Sequence, residues 1–299
     1  MAPARPDGPG GLPRDGLVLL ALVTLAWGLA WPAMKIVLNE MSPWTFREVT
    51  LPAGGLILMA FARMVGQPLA VPRRKWTALI VVSLINVGGW HLFSALGLSQ
   101  MSSGRAVLVA YTMPLWASLA GAVLLGEAVT RRLGIALVLG MAGVAVLLSG
   151  DLAALRGAPW GIVYMLVAAM FWGVGIVLLK RVVWEMPPLA LAAWQLIVSS
   201  IPIALLAGMV EGWTLPALSP LALATLVFVI VVPIGFCSWA FLKVITLFPA
   251  NVSAIGTLMI PVVGVLSGSL ILGEPIGWRE MASLALIGSS LVLTLFYRR

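Results

Sequence analysis

Charge is scarce in this sequence, and cysteine and histidine are scarcer still. Only 9% of the 299 residues are Asp, Glu, Lys or Arg, against about 25% in soluble domains. With 62% hydrophobic residues and a mean hydropathy of +1.10, a compact ball of this chain could not present enough polar surface to water. A soluble enzyme or cytosolic binding domain is excluded. The single cysteine, Cys237, excludes a disulfide framework and any multi-cysteine metal site. A lone histidine, His91, excludes an H-E-x-x-H zinc site. No G-x-x-x-x-G-K-[ST] loop occurs, so ATP is not the direct energy source through this chain, and neither cofactor nor metal is expected.

What charge there is leans basic, with 18 Lys and Arg against 10 Asp and Glu. These residues stand singly or in pairs between apolar runs, and the longest cluster is Arg73-Arg74-Lys75. That is too short for a nucleic-acid stripe, so no nucleic-acid partner is expected. The excess reads instead as the anchor of cytoplasmic loops.

Apolar segments bounded by charge, Pro or Gly predict ten helical spans: Leu17–Leu38, Trp44–Val65, Trp76–Gly97, Arg105–Leu125, Leu133–Ser149, Trp160–Leu179, Leu189–Val210, Pro220–Phe241, Ala250–Leu272 and Trp278–Tyr297. Each is about 17–25 residues, the length that crosses ~30 Å of hydrocarbon at ~1.5 Å per residue. Period-two alternation, the mark of barrel strands, is absent. Residues 1–16 read as a disordered cytoplasmic tail. The first apolar run is longer than a signal-peptide core and lacks a small-residue cleavage site, so it reads as a retained helix.

The basic residues also predict orientation. With the N-terminus cytoplasmic and ten crossings, only Lys35, Arg47, Arg105, Arg156 and Arg279 of the 18 fall outside. That asymmetry predicts both termini inside.

The halves repeat at an offset near 146 residues. Trp27-Gly28 precedes Lys35 as Trp172-Gly173 precedes Lys180; Pro114 precedes Gly126-Glu127 as Pro261 precedes Gly273-Glu274; and Ala117-xxx-Gly121 matches Gly264-xxx-Gly268. Five spans per half is odd, so the second copy must enter the membrane upside down. The fold class expected is an all-α polytopic membrane protein of ten transmembrane helices, arranged as two inverted five-helix repeats around a central cavity. Residues 17–149 form the first repeat, 150–159 an extracytoplasmic connector and 160–297 the second repeat.

The Trp-Gly…Lys and Pro…Leu-Gly-Glu patterns, with ten spans in two halves, resemble the drug/metabolite transporter superfamily and its EamA family over roughly residues 17 to 297. Within it the chain is most similar to bacterial exporters of aromatic amino acids. The resemblance implies a basket of helices around an apolar cavity in the bacterial inner membrane, moving a small-molecule substrate by alternating access.

The candidate substrate-binding residues are His91, Trp90, Ser94 and Asn86 in span 3, Trp27 and Trp31 in span 1, Tyr111 in span 4, Trp172 in span 6 and Trp239 in span 8. His91 is the one ionisable residue placed well away from the interfaces. Its polar, small-residue surroundings suit a wet cavity better than lipid, because an unpaired polar group is costly in hydrocarbon. A histidine satisfied by a neighbouring backbone group is the plainer reading. Aromatic rings inside spans suit a flat apolar side chain and attract a cation through their faces; filling gaps between helices is their alternative. Pro114 and Pro261 are candidate hinges, with Gly121 and Gly268 as close-packing positions near the pseudo-twofold axis. Lys35 reads as a snorkelling anchor, with holding a substrate carboxylate as the alternative, Arg47 and Gln195 as helix anchors or loop contacts, and Glu127 and Glu274 as residues that cap or position the next helix.

No carboxylate falls at a mid-membrane position, so proton coupling through His91 or simple facilitated diffusion is expected. The expected function is export of small neutral metabolites, aromatic and other bulky amino acids foremost, by a monomer, with a dimer open. A broad-specificity efflux protein and a non-transporting scaffold or receptor remain the alternatives. An intramembrane enzyme is not expected, since paired aspartates and clustered catalytic groups are missing.

Overall fold

The computed structural model describes residues 14–126, 130–149, 160–213, 215–247 and 258–295, and every regular element among them is helical. Helix α1 is Arg14–Leu38 and α2 is Pro43–Met64. Helix α3 is the rod Arg73–Ser99, and α4 is Ser103–Leu125. Then follow α5 (Arg131–Ser149), α6 (Trp160–Arg181) and α7 (Pro188–Glu211). Helix α8 joins Pro220–Val229 to Cys237–Leu247, and α9 (Ile260–Leu272) and α10 (Trp278–Leu295) complete the set.

Six of these, α1, α3, α4, α6, α7 and α8, are long and apolar enough to cross a membrane, and α9 is a shorter apolar helix. The rods carry outward-facing large apolar side chains that water would not tolerate in such number. On α1 alone Leu17, Val18, Leu22, Leu25 and Leu29 are exposed. Helix α1 starts at Arg14, inside the stretch read as tail. Residues 1–13, the connector 150–159 and Glu127 lie outside the described residues.

Three irregularities recur in both halves. Helix α3 widens into a π turn at Leu84–Gly89, and α8 does the same at Ile230–Phe236. In α8, Pro233 lacks the N–H that a regular turn would donate. Helix α4 breaks at Tyr111 and Thr112 and resumes at Met113, with Pro114 in its first turn. Helix α9 starts after a turn at Met259, with Pro261 in the same place. Both end on a left-handed glycine, Gly126 at φ 69° and Gly273 at φ 67°.

The packing recurs too. Helix α2 lies along α7 and α5 along α10; α1 crosses α9 as α6 crosses α4, and α8 lies on α1 as α3 lies on α6. The repeated Trp-Gly pairs explain two of these crossings. A Cβ on Gly28 would stand 2.3 Å from Cγ1 of Val263 in α9, and one on Gly173 would stand 2.6 Å from the backbone nitrogen of Ala117 in α4. Only glycine permits either approach.

One end of the bundle is tied by polar side chains. Lys35 Nζ donates to the carbonyls of Leu98 and Ser99, each at 3.0 Å. Glu40 accepts from the backbone and hydroxyl of Ser219 at 2.7 Å each. Glu211 accepts from Thr45 Oγ1 at 2.8 Å and from Ser42, the N-cap of α2. Arg105 Nε meets Glu280 at 2.9 Å. Together these gather the C-terminal ends of α1, α3 and α7 and the N-terminal ends of α2, α4, α8 and α10.

Candidate functional site

Where α3 leaves its π turn it presents Trp90, His91 and Ser94 to the junction with α1 and α2. Small residues make the turn possible. A Cβ on Gly89 would lie 2.4 Å from the Phe171 ring of α6, so the backbone can approach α6 only as glycine. The Trp90 ring meets Trp31 of α1 edge-on at 6.5 Å between centroids. Ser94 Oγ donates to the His91 carbonyl at 3.1 Å. The His91 Nδ1 is enclosed and has no hydrogen-bond partner among the described residues. An enclosed polar atom without a partner is rare and needs an explanation.

Arg47 of α2, read from the sequence as a helix anchor, comes to the same place. It is 2% exposed, which makes it a fully buried charged side chain. Its Nε donates to the His91 carbonyl at 2.7 Å, and its Nη2 to Ser94 Oγ at 3.2 Å, with Met34 Sδ at 3.8 Å. The one sequence signal was an arginine in the first turns of an apolar span, a position ordinarily read as an anchor.

The other candidates fall into neighbouring groups. Asn86 Nδ2 donates to the Trp172 carbonyl at 3.4 Å, linking the α3 π turn to α6. Trp27 Nε1 donates to the carbonyl of Pro233 in the α8 π turn at 3.2 Å, and its ring packs on Phe241 at 5.1 Å. Trp239 sits against Phe61 at 5.6 Å and under Lys243 Nζ at 5.5 Å. Tyr111 is buried at the break in α4 and belongs, with Trp31, to the continuous apolar core on which Trp27, Trp90 and Trp239 also pack. Five of the nine candidates thus share one core, and the nine do not converge on one point.

Gly121 is buried on α4, while Gly268 packs against Ser103 and Glu274, at 2.6 and 2.5 Å from a built Cβ. Lys35 reaches toward one end of the bundle and caps α3 there, where the carbonyls carry the helix's partial negative charge. One expectation needs correction. Glu274 caps not the next helix but α4, in the other half of the chain. It accepts from Ser103 N at 2.6 Å, Ser103 Oγ at 2.9 Å and Gly104 N at 2.9 Å. Among the described residues no three His, Cys, Asp or Glu are grouped to hold a metal.

At the bundle's edge two carboxylates are held below the usual carboxylate range. Glu40 is lowered by the two hydrogen bonds from Ser219, and Glu185 by the Arg74 guanidinium at 2.6 Å.

The model of the EamA-like transporter family matches this chain twice, over residues 14–149 and 159–296. The chain belongs to the EamA-like transporter family. It is 28% identical over 298 residues to a Salmonella typhimurium protein named "Probable amino-acid metabolite efflux pump", covering 95% of each chain. It is 26% identical to YvbV, an uncharacterized transporter of Bacillus subtilis, covering 92% of this EamA chain and 90% of that one. A solved crystal structure at 22% identity and TM-score 0.67 has the same fold over 94% of this chain and 96% of its own.

Proposed function

We propose that this EamA transporter exports small neutral metabolites, aromatic and other bulky amino acids foremost, across the bacterial inner membrane by alternating access. Two inverted five-helix repeats, 17–149 (with α1 extending back to Arg14) and 160–297, rock about a shared seam. Residues 150–159 join them outside the membrane. The tail 1–16 and the C-terminus are cytoplasmic. The working unit is a monomer.

The observation that carries the substrate class is the meeting of Trp31, Trp90, His91 and Ser94 at the junction of α1, α2 and α3, with an imidazole nitrogen left unpartnered. An edge-on pair of indole rings suits an aromatic side chain, and an enclosed imidazole nitrogen without a partner among the described residues calls for a polar group. The name of the Salmonella relative, an amino-acid metabolite efflux pump, supports the amino-acid part of this reading. The inverted repeat is supported by matched π turns, matched breaks at Tyr111–Thr112 and Met259, and exchanged helix pairings. It is supported further by the tied end of the bundle, where α2 and α7, or α3 and α8, present opposite termini. Broken helices near the middle of a membrane are where such transporters place their solutes.

Efflux of radiolabelled phenylalanine, tryptophan and threonine from loaded proteoliposomes tests the reading. Phenylalanine and tryptophan should leave faster than threonine and far faster than from empty-vesicle controls. Equal efflux of unrelated cationic dyes would make it a broad-specificity efflux protein, and no flux of any solute would leave a scaffold or receptor.

A further inference from the structure

Arg47 is the one feature of the junction that neither helix anchoring nor the aromatic reading accounts for. Its side chain is 2% exposed, yet every partner it has among the described residues is neutral: the His91 carbonyl, the Ser94 hydroxyl, the Met34 sulfur and the Phe46 ring, whose centroid lies 4.6 Å from Cζ. Among the described residues no carboxylate lies within ion-pair distance, and Nη1 donates to none of them. A guanidinium carries five N–H donors and a charge that no deprotonation relieves. Two hydrogen bonds to neutral oxygens and the face of the Phe46 ring fix its position but supply no full negative charge to balance it.

Lys35, the nearby lysine of α1, is a useful contrast. Its acceptors are the last carbonyls of α3, where the helix dipole is negative, and Glu274 lies close enough to act on it. The acceptors of Arg47 lie a turn or more back inside α3, away from that end. The equivalent position in the second half is the neutral Gln195, which is also buried and has no partner for its amide nitrogen among the described residues. The fixed positive charge is therefore placed on one side of the repeat only.

We propose that Arg47 is the substrate's carboxylate anchor: the free edge of its guanidinium receives the carboxylate of a zwitterionic amino acid while Trp31 and Trp90 face its side chain and ammonium. The planar fork matches a carboxylate bidentately, and the two bonds to α3 hold it at a set angle. The anchor rests on the amino-acid reading above and narrows it to solutes that keep their carboxylate. Amines and amides of the same shape leave the guanidinium unpaired, and the site rejects them.

The test is binding to the purified full chain in lipid nanodiscs, with L-phenylalanine, L-phenylalaninamide and 3-phenylpropionate as probes. The unmutated protein should prefer phenylalanine over the amide by roughly tenfold or more, the range of a charge-assisted hydrogen bond. Arg47→Gln should erase that preference, and Arg47→Lys should keep part of it. Equal binding of acid and amide by the unmutated protein overturns the anchor and leaves the amino-acid reading standing. This arm needs no variant, so misfolding of R47Q cannot hide it. A preference that survives in R47Q also overturns it. Arg47-dependent binding of 3-phenylpropionate without phenylalanine keeps the anchor and ends the amino-acid reading. Binding of none of the three ends both.

Discussion

Glu274 caps a helix that begins 171 positions earlier in the chain, at Ser103. Its carboxylate takes two backbone N–H groups and a hydroxyl at the α4 N-terminus, where the helix dipole is positive. Glu274→Gln keeps the shape but loses the charge and at least one acceptor. It should lower stability by about 1–2 kcal/mol, read as a reduced melting temperature in detergent. Ser103→Ala, which removes only the hydroxyl, should cost less. An E274Q protein as stable as the parent would show that the cap contributes nothing.

The two Trp-Gly motifs should tolerate alanine unequally. At Gly173 the new methyl meets the backbone of Ala117 and Trp116, which cannot move without shifting α4; at Gly28 it meets first the side chain of Val263. Gly173→Ala is expected to cost about 1–3 kcal/mol and Gly28→Ala less. Gly134→Ala, with nothing within 4 Å, should be neutral or slightly stabilising because alanine is the better helix former. Thermal unfolding of the three variants side by side gives the order, and a reversed order would refute the packing argument.

Transport should depend on the α1–α3 junction and on the break in α4. His91→Ala, Trp90→Ala and Tyr111→Ala are each expected to slow phenylalanine efflux roughly tenfold, the loss of one buried polar or aromatic contact. Trp278→Ala, at an exposed position, should leave flux intact. Unchanged flux in all three core variants would place the site elsewhere in the seam.

The Glu40–Ser219 link sets a pH dependence outside the membrane. Glu40 has a folded value below its ordinary 4.5, so its contribution is complete above that value and is lost as pH falls through the lower, folded one. Glu40→Gln should therefore melt below the parent at neutral pH, and the gap should close in acid, below the usual carboxylate range. A gap that stays constant into acid would mean the carboxylate charge plays no part.

Much of this architecture is legible in the chain because hydrocarbon leaves a helix no choice about its length. Trp27-Gly28 and Trp172-Gly173 marked corresponding places in two halves, and the structure turns both into close crossings. Pro114 and Pro261 marked matched breaks. Arg47 went the other way. An arginine near the start of an apolar helix is ordinarily an anchor, and nothing local says that the His91 carbonyl, 44 residues on, will receive it. Glu274 was recognised as a cap, but its helix was not, because a carboxylate reaches whatever N-terminus the fold brings to it.

Composition and hydrophobic spacing alone determined that this is a helical membrane protein, since that follows from what lipid demands of each segment separately, and the repeated motifs pointed to two related halves, each of which the family model matches. Which side chains meet at the junction, which helix each cap serves, and that a buried arginine stands there with no carboxylate beside it among the described residues were decided only in three dimensions. Contacts between segments depend on how helices cross, and crossing is a property of pairs that no single stretch of sequence carries.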